Sequence, residues 1–159
     1  MIKNEALSIV IPVYNEASSL IELYDEIKVN VASFSIWEIL FVDDGSTDDS
    51  GEIIRSLHEK DKRVKLIQFH RNYGKSAALS EGFKNATGNY ILTMDADLQD
   101  DPCEIENLYK KLLEGYDLIS GWKKSRKDPL SKKIPSKFFN WVTRLMTGVK
   151  IHDFNCGLK

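Results

Sequence analysis

Hydrophobic positions along this chain fall into two alternating patterns. The first is a set of short, unbroken apolar runs rich in β-branched residues: 7–13 (LSIVIPV), 39–42 (ILFV), 64–69 (VKLIQF) and 90–94 (YILTM). Such runs suit strands buried on both faces of a sheet. A weaker run at 117–120 predicts a fifth strand. Between the runs, apolar residues recur at helical spacing, as in 16–31, where Leu20, Leu23, Tyr24, Ile27 and Val31 share one face. Helices are also predicted over 50–59 and 76–86. A further helix opens on Asp101-Pro102-Cys103-Glu104, a capping-box-like start with proline at the first helical position. Strands alternating with helices imply parallel crossovers, hence an α/β fold with a mostly parallel open sheet flanked by helices.

In sheets of this kind ligands bind beyond the carboxyl ends of the strands. Three of those ends carry polar sequence: Pro12-Val13-Tyr14-Asn15-Glu16, Asp43-Asp44-Gly45-Ser46-Thr47-Asp48 and Asp95-Ala96-Asp97-Leu98-Gln99-Asp100. They are expected to converge on one edge. Asp95 and Asp97, two residues apart after a buried strand, suit a hard divalent cation, which is held by one or two carboxylates plus substrate phosphates. Asp100 and Asp101 are assigned to a solvated turn capping the next helix. From Ser46 onward the second segment reads as a helix start, with Ser46 or Thr47 as N-cap and Asp48 and Asp49 in the first turn. That leaves Asp43 and Asp44, whose carboxylates are placed to accept hydrogen bonds from a base or ribose. Arg71-Asn72-Tyr73-Gly74-Lys75 offers a tight turn near a ligand, with Arg71 and Lys75 set to meet phosphate; a surface turn fits that segment equally.

Charge changes the picture at the other end of the chain. The formal net charge is only −2, but residues 1–122 carry −10 and residues 123–150 carry +8. An acidic body with a basic arm points to an anionic partner. Within that arm, residues 131–147 place Ile134, Phe138, Trp141, Val142 and Leu145 at helical spacing beside Lys132, Lys133, Lys137 and Arg144. This is the pattern of a basic amphipathic helix lying at a membrane surface, and equally that of a core helix with a solvated face. The acidic body and a pI of about 5.9 argue against nucleic acid. The remaining composition predicts one domain over 1–159, with 42% hydrophobic residues to build a core. The N-terminus has no signal-peptide pattern, and Cys103 and Cys156 have no metal-site spacing. His58, His70 and His152 likewise have no partner pattern.

The segment after the first strand excludes several enzyme classes. PVYNEA contains no glycine, which removes both the dinucleotide fingerprint and the P-loop. Elsewhere in the chain no G-x-S-x-G elbow is present, and the D-x-D comes after the fourth strand rather than the first, unlike an aspartyl phosphatase.

Taken together, IPVYNEASSL, ILFVDDGSTDDS, RNYGKSAALSEG and MDADLQDDP resemble the inverting family 2 glycosyltransferases with the GT-A fold. The RNYGK and DADLQDDP forms are most similar to the polyprenyl-phosphate and dolichyl-phosphate sugar transferases. The resemblance runs from Leu7 to the last residue, where HDFNCGLK is similar to the family's acidic–Gly–basic segment. On this basis the chain is expected to be a catalytic domain truncated at its C-terminal end.

The resemblance implies roles for individual residues. Pro12, Tyr14, Glu16, Asp43 and Asp44, with Gly74, Lys75 and Asp95, bind the nucleotide-sugar. Asp97 and Gln99 contact Mg²⁺ or Mn²⁺, with Asp95 nearer the donor. Lys124, Arg126 and Lys137 surround the acceptor phosphate, with Lys137 standing where the family often has arginine, whose bidentate fork lysine lacks. Asp153 is the candidate carboxylate base. The implied partners are a UDP- or GDP-linked sugar and undecaprenyl or dolichyl phosphate, at the cytoplasmic face of a membrane. The alternatives are a soluble family 2 enzyme extending a saccharide, or a catalytically incomplete fragment that binds nucleotide-sugar. The sugar, the base and the oligomeric state are left open.

Overall fold

A computed structural model describes residues 2–121 and 157–159. Lys124, Arg126, Lys137, Asp153 and the expected helix over 131–147 lie outside the described residues. The described residues contain four strands: β1 (Ile2–Val13), β2 (Phe34–Asp43), β3 (Val64–Gln68) and β4 (Tyr90–Thr93). They form one parallel sheet in the order β3-β2-β1-β4. The helices alternate with them: α1 (Leu20–Asn30), α2 (Ser50–Lys60), α3 (Lys75–Asn85), then a 3-10 turn (Pro102–Glu104) leading into α4 (Ile105–Leu112).

The apolar runs divide between two faces because successive strand residues point to opposite sides. Ile9, Ile11, Ile39 and Phe41 are fully buried in the larger core, with Leu20, Leu23 and Ile27 of α1, Ile54 of α2 and Ile105 of α4. Val10, Leu40 and Val42 face the other way, against Ala78 and Leu79 of α3. Each such side chain contributes about 1.5–3 kcal/mol when taken out of water. Among the described residues the sandwich is therefore asymmetric, with three helices on one face and α3 on the other.

At the outer edge the structure departs from the expected fifth strand. Residues 117–120 are not assigned as a strand; instead Thr93 and Lys159 exchange both backbone hydrogen bonds, at 2.8 and 3.2 Å. Gly121 N–H then donates to the Leu158 carbonyl (2.9 Å). A segment distant in sequence thus takes the place beside β4. Residues 117–120 are only four long and stop at a glycine, too little to outcompete it. Helix α1 also begins later than its periodicity predicts, since residues 17–19 form a turn before Leu20.

Candidate active site

The carboxyl ends of β1 and β2 are joined by side-chain hydrogen bonds before any ligand is considered. Asn15, in the left-handed region at φ 57°, is the hinge of the β1–α1 loop; asparagine tolerates that conformation better than most residues. Its N–H donates to Ser46 Oγ (3.0 Å), and its Oδ1 accepts the Thr47 N–H (2.8 Å). Ala17 N–H donates to Asp48 Oδ2 (3.1 Å), and Glu16 N–H to Ser50 Oγ (3.0 Å). Ser46 and Thr47 therefore do not cap α2 as expected. The N-cap is Asp49, and Asp48 Oδ1 takes the first helical N–H, that of Ser50, at 3.0 Å. Ser46 and Thr47 are spent on holding the two loops together.

Asp43 and Asp44 are both buried, and they do different things. Asp43 accepts from Ser46 N–H (2.8 Å) and Gln68 Nε2 (2.9 Å), tying the end of β2 to β3 below the cavity floor. Asp44 accepts the N–H groups of Tyr73 (2.7 Å) and Gly74 (2.9 Å). The turn before α3 thus turns its amides to Asp44 rather than outward. That close packing requires Gly45: at φ +73°, a Cβ there would lie 2.4 Å from the Arg71 carbonyl carbon. Arg71 itself stacks on the Tyr73 ring, 4.9 Å from its centroid.

Above these loops is a cavity of about 330 Å³. Its walls are Pro12, Val13, Tyr14 and Glu16 from β1 and its loop, Asp44, then Asn72, Gly74 and Lys75, and finally Asp95, Ala96 and Asp97 after β4. Most of the nucleotide-site residues expected from the sequence meet here. Asp43 and Gln99 are not among the lining residues; Gln99 is exposed, and its N–H donates to Asp97 Oδ1 (3.2 Å). Val13, Asn72 and Ala96 join the lining without having been singled out, being flanked by the residues that were.

Carboxylates crowd one another in this cavity. Burial, then the neighbouring Asp97, and further Asp48 and Asp95, push the Glu16 carboxyl above its usual range, with the Ser19 hydroxyl pulling the other way. Lys75 Nζ lies 2.5 Å from Asp95 Oδ1. Asp100, assigned from sequence to a solvated cap, is instead buried behind Asp95 and accepts its N–H at 3.1 Å. Asp101 does cap the next turn, accepting the Cys103 N–H at 2.9 Å. Gly157 presses on the same place: a Cβ there would come within 2.6 Å of the Asp95 and Asp100 carboxylates. No local signal reveals Asp100 or Gly157: Asp100 reaches back only five residues, in a turn whose sequence equally suits a solvated cap, and Gly157 acts across the fold.

The donor set fits a hard cation that shares its shell with phosphate. Among the described residues no group of three or more His, Cys, Asp or Glu side chains is arranged to cage an ion. Asp95 and Asp97 can supply carboxylate oxygens to Mg²⁺ or Mn²⁺, with a diphosphate providing others. Among the described residues no helix is long and apolar enough to cross a membrane.

Comparison with known proteins agrees with this architecture. Residues 8–157 match the profile of Glycosyl transferase family 2. The chain is 41% identical, over 155 residues, to an undecaprenyl-phosphate 4-deoxy-4-formamido-L-arabinose transferase of Salmonella choleraesuis (strain SC-B67), covering 96% of this chain and 47% of the relative. It thus spans about half the length of the curated relatives it matches. Among solved structures, a mannosyltransferase from Pyrobaculum calidifontis in complex with GDP-Man and Mn²⁺ is 26% identical, with TM-score 0.65 over 77% of this chain and 37% of that one. The Mycobacterium tuberculosis glucosyl-3-phosphoglycerate synthase, in complex with UDP, superposes with TM-score 0.72 at 21% identity, covering 98% of this chain and 56% of that one. The fold is of the GT-A type.

Proposed function

The chain belongs to glycosyl transferase family 2, and from that premise we propose that it transfers a sugar from a nucleoside-diphosphate sugar to a polyprenyl phosphate, with inversion and with Mg²⁺ or Mn²⁺. The observation that carries this reading is the cavity at the carboxyl ends of β1, β2 and β4, where Tyr14, Glu16, Asp44, Lys75, Asp95 and Asp97 meet. The acceptor class is supported by the 41%-identical relative, which is named for undecaprenyl phosphate.

In this reading Pro12 and Tyr14 pack against the base, and Asp44 keeps the Tyr73–Gly74 turn in place beside it. Asp97 and Asp95 would hold the cation, with Gln99 a further candidate contact. When bound, it would supply positive charge to offset that developing on the departing diphosphate. An acceptor phosphate oxygen attacks the anomeric carbon from the face opposite the diphosphate. The new carbon–oxygen bond forms as the old one breaks, and its electron pair leaves with the nucleoside diphosphate. A phosphate arrives already ionised, so the protein's task is to bind and orient it rather than to remove a proton. Lys124, Arg126 and Lys137 are the residues proposed for that anion, and the basic segment over 131–147 for the cytoplasmic membrane surface that carries it. Asp153 serves as base only if the acceptor is a hydroxyl.

The test is to incubate the full-length protein with radiolabelled nucleotide-sugar, Mn²⁺ and undecaprenyl phosphate, and to extract with organic solvent. Label in the organic phase is expected. Label confined to water-soluble saccharide would replace this reading with that of a glycan-extending enzyme.

A further inference from the structure

Asp95 is held from several sides in the cavity wall, and it already carries a cation. Its backbone is held by Asp100, Gly157 packs on its side chain, and Lys75 Nζ sits on its Oδ1 at 2.5 Å. The partner is anchored differently. Lys75 is the first residue of α3, directly after the turn that Asp44 clamps, so its backbone is fixed while its side chain is 53% exposed. Among the described residues no other cationic side chain forms an ion pair with a carboxylate lining this cavity. The pair also stands on a boundary. Lys75 and Asp95 line both the 330 Å³ cavity and an adjoining one of about 730 Å³, which runs past Leu79, Phe83, Ile91 and Leu118.

We propose that Lys75 is a resident counter-ion: it occupies the cation's place on Asp95 while the site is empty, and passes to the donor diphosphate when metal and nucleotide arrive. This rests on the functional reading above. An ion pair half open to solvent is weak, so exchanging it costs little. A compact ammonium on a flexible four-carbon stem can change partners without moving the helix that carries it. The exchange has a thermodynamic consequence. Lys75 competes with a metal ion that comes alone and assists one that comes with a diphosphate, so it couples the two binding events. The empty site is thereby protected from filling with metal before the donor is present. A merely structural Lys75–Asp95 surface pair would produce no such opposition of sign.

Two titrations on wild type, Lys75→Met and Lys75→Arg decide the matter. Mn²⁺ alone is followed by the electron paramagnetic resonance of the free ion. UDP and GDP are then titrated separately by calorimetry at saturating Mn²⁺. Lys75→Met is expected to bind Mn²⁺ alone more tightly, by up to about fivefold, and to lose about tenfold in affinity for the nucleoside diphosphate. Lys75→Arg, which keeps the charge, is expected to bind Mn²⁺ alone as wild type does. Unchanged or weaker Mn²⁺ binding by Lys75→Met, or an undiminished nucleotide affinity, would overturn the proposal. That result differs from failure of the functional reading, which would show as wild type having no Mn²⁺-dependent affinity for either nucleotide.

Discussion

One sheet carries two groups of carboxylates, and they have opposite surroundings. Glu38 lies on β2, level with the first residues of β3 and β4, and is 7% exposed. It accepts from the Ser8 hydroxyl (2.5 Å) and from the Thr87 N–H and hydroxyl (2.8 and 2.9 Å), and pairs with Lys65 at 2.5 Å. Burial alone would push its carboxyl up, but Lys65, Ser8 and Thr87 outweigh it and bring it from 4.5 to about 2. At the far end of the same strands, Glu16 faces Asp97, Asp48 and Asp95, and its carboxyl is pushed up. The first carboxylate is consumed by the fold, whereas the second group repels itself and has room in front of it. The difference separates an acidic residue consumed by the fold from those proposed for a cation, where sequence shows only aspartates and glutamates.

The comparison is broken most severely at Asp97. Asp97→Ala is expected to lower transfer at saturating donor by at least about a hundredfold, since a bound cation supplies several kcal/mol to the leaving group; its thermal unfolding should stay near that of wild type. Steady-state kinetics beside a melting curve checks both halves. A stable, fully active Asp97→Ala would place the cation elsewhere.

Glu38→Ala should do the reverse, costing about 2–3 kcal/mol of stability by stranding the buried partners of the carboxylate, with nucleotide affinity unchanged. Because the folded carboxyl titrates below its ordinary value, its contribution is complete above pH 4.5 and fades as pH falls toward 2. Denaturant unfolding across that window should fall steeply for wild type and less for Glu38→Gln. Parallel curves would mean that Glu38 is not the group responsible.

Much of this contrast could be anticipated from the chain, but unevenly. The runs at 39–42 and 90–94 predict strands, and β2 and β4 are there, but only the first run is buried throughout; Ile91 of β4 is 42% exposed among the described residues. The start of β2 at Phe34 was hidden by the polar Ser35 and by Glu38, whose partners lie on other elements. Asp44, Asp95 and Asp97 were legible because a carboxylate just beyond a buried strand has no local role. Asp100 was not, since the same sequence serves equally as a cap, and only the fold brings it behind Asp95. Gly157 was legible as part of a motif but not as a packing constraint, because the Asp95 and Asp100 carboxylates it would strike come from a loop far back in the chain.

Gly157→Ala gives the smallest and most discriminating effect. Its methyl group must displace the Asp95 or Asp100 carboxylate, at about 1–3 kcal/mol of strain. Mn²⁺-supported nucleotide affinity should fall about tenfold, as for other groups that orient a ligand from behind. Calorimetry beside a denaturation curve separates the two effects; lost stability with intact affinity would reduce Gly157 to a packing residue.

The carboxyl end of this sheet is proposed to hold a nucleotide through a divalent cation. Calorimetric titration of the wild-type protein with UDP and with GDP, each with and without Mn²⁺, tests it most directly. One of the two is expected to bind at least about tenfold more tightly when Mn²⁺ is present. Equal affinities with and without the metal, for both nucleotides, would contradict it.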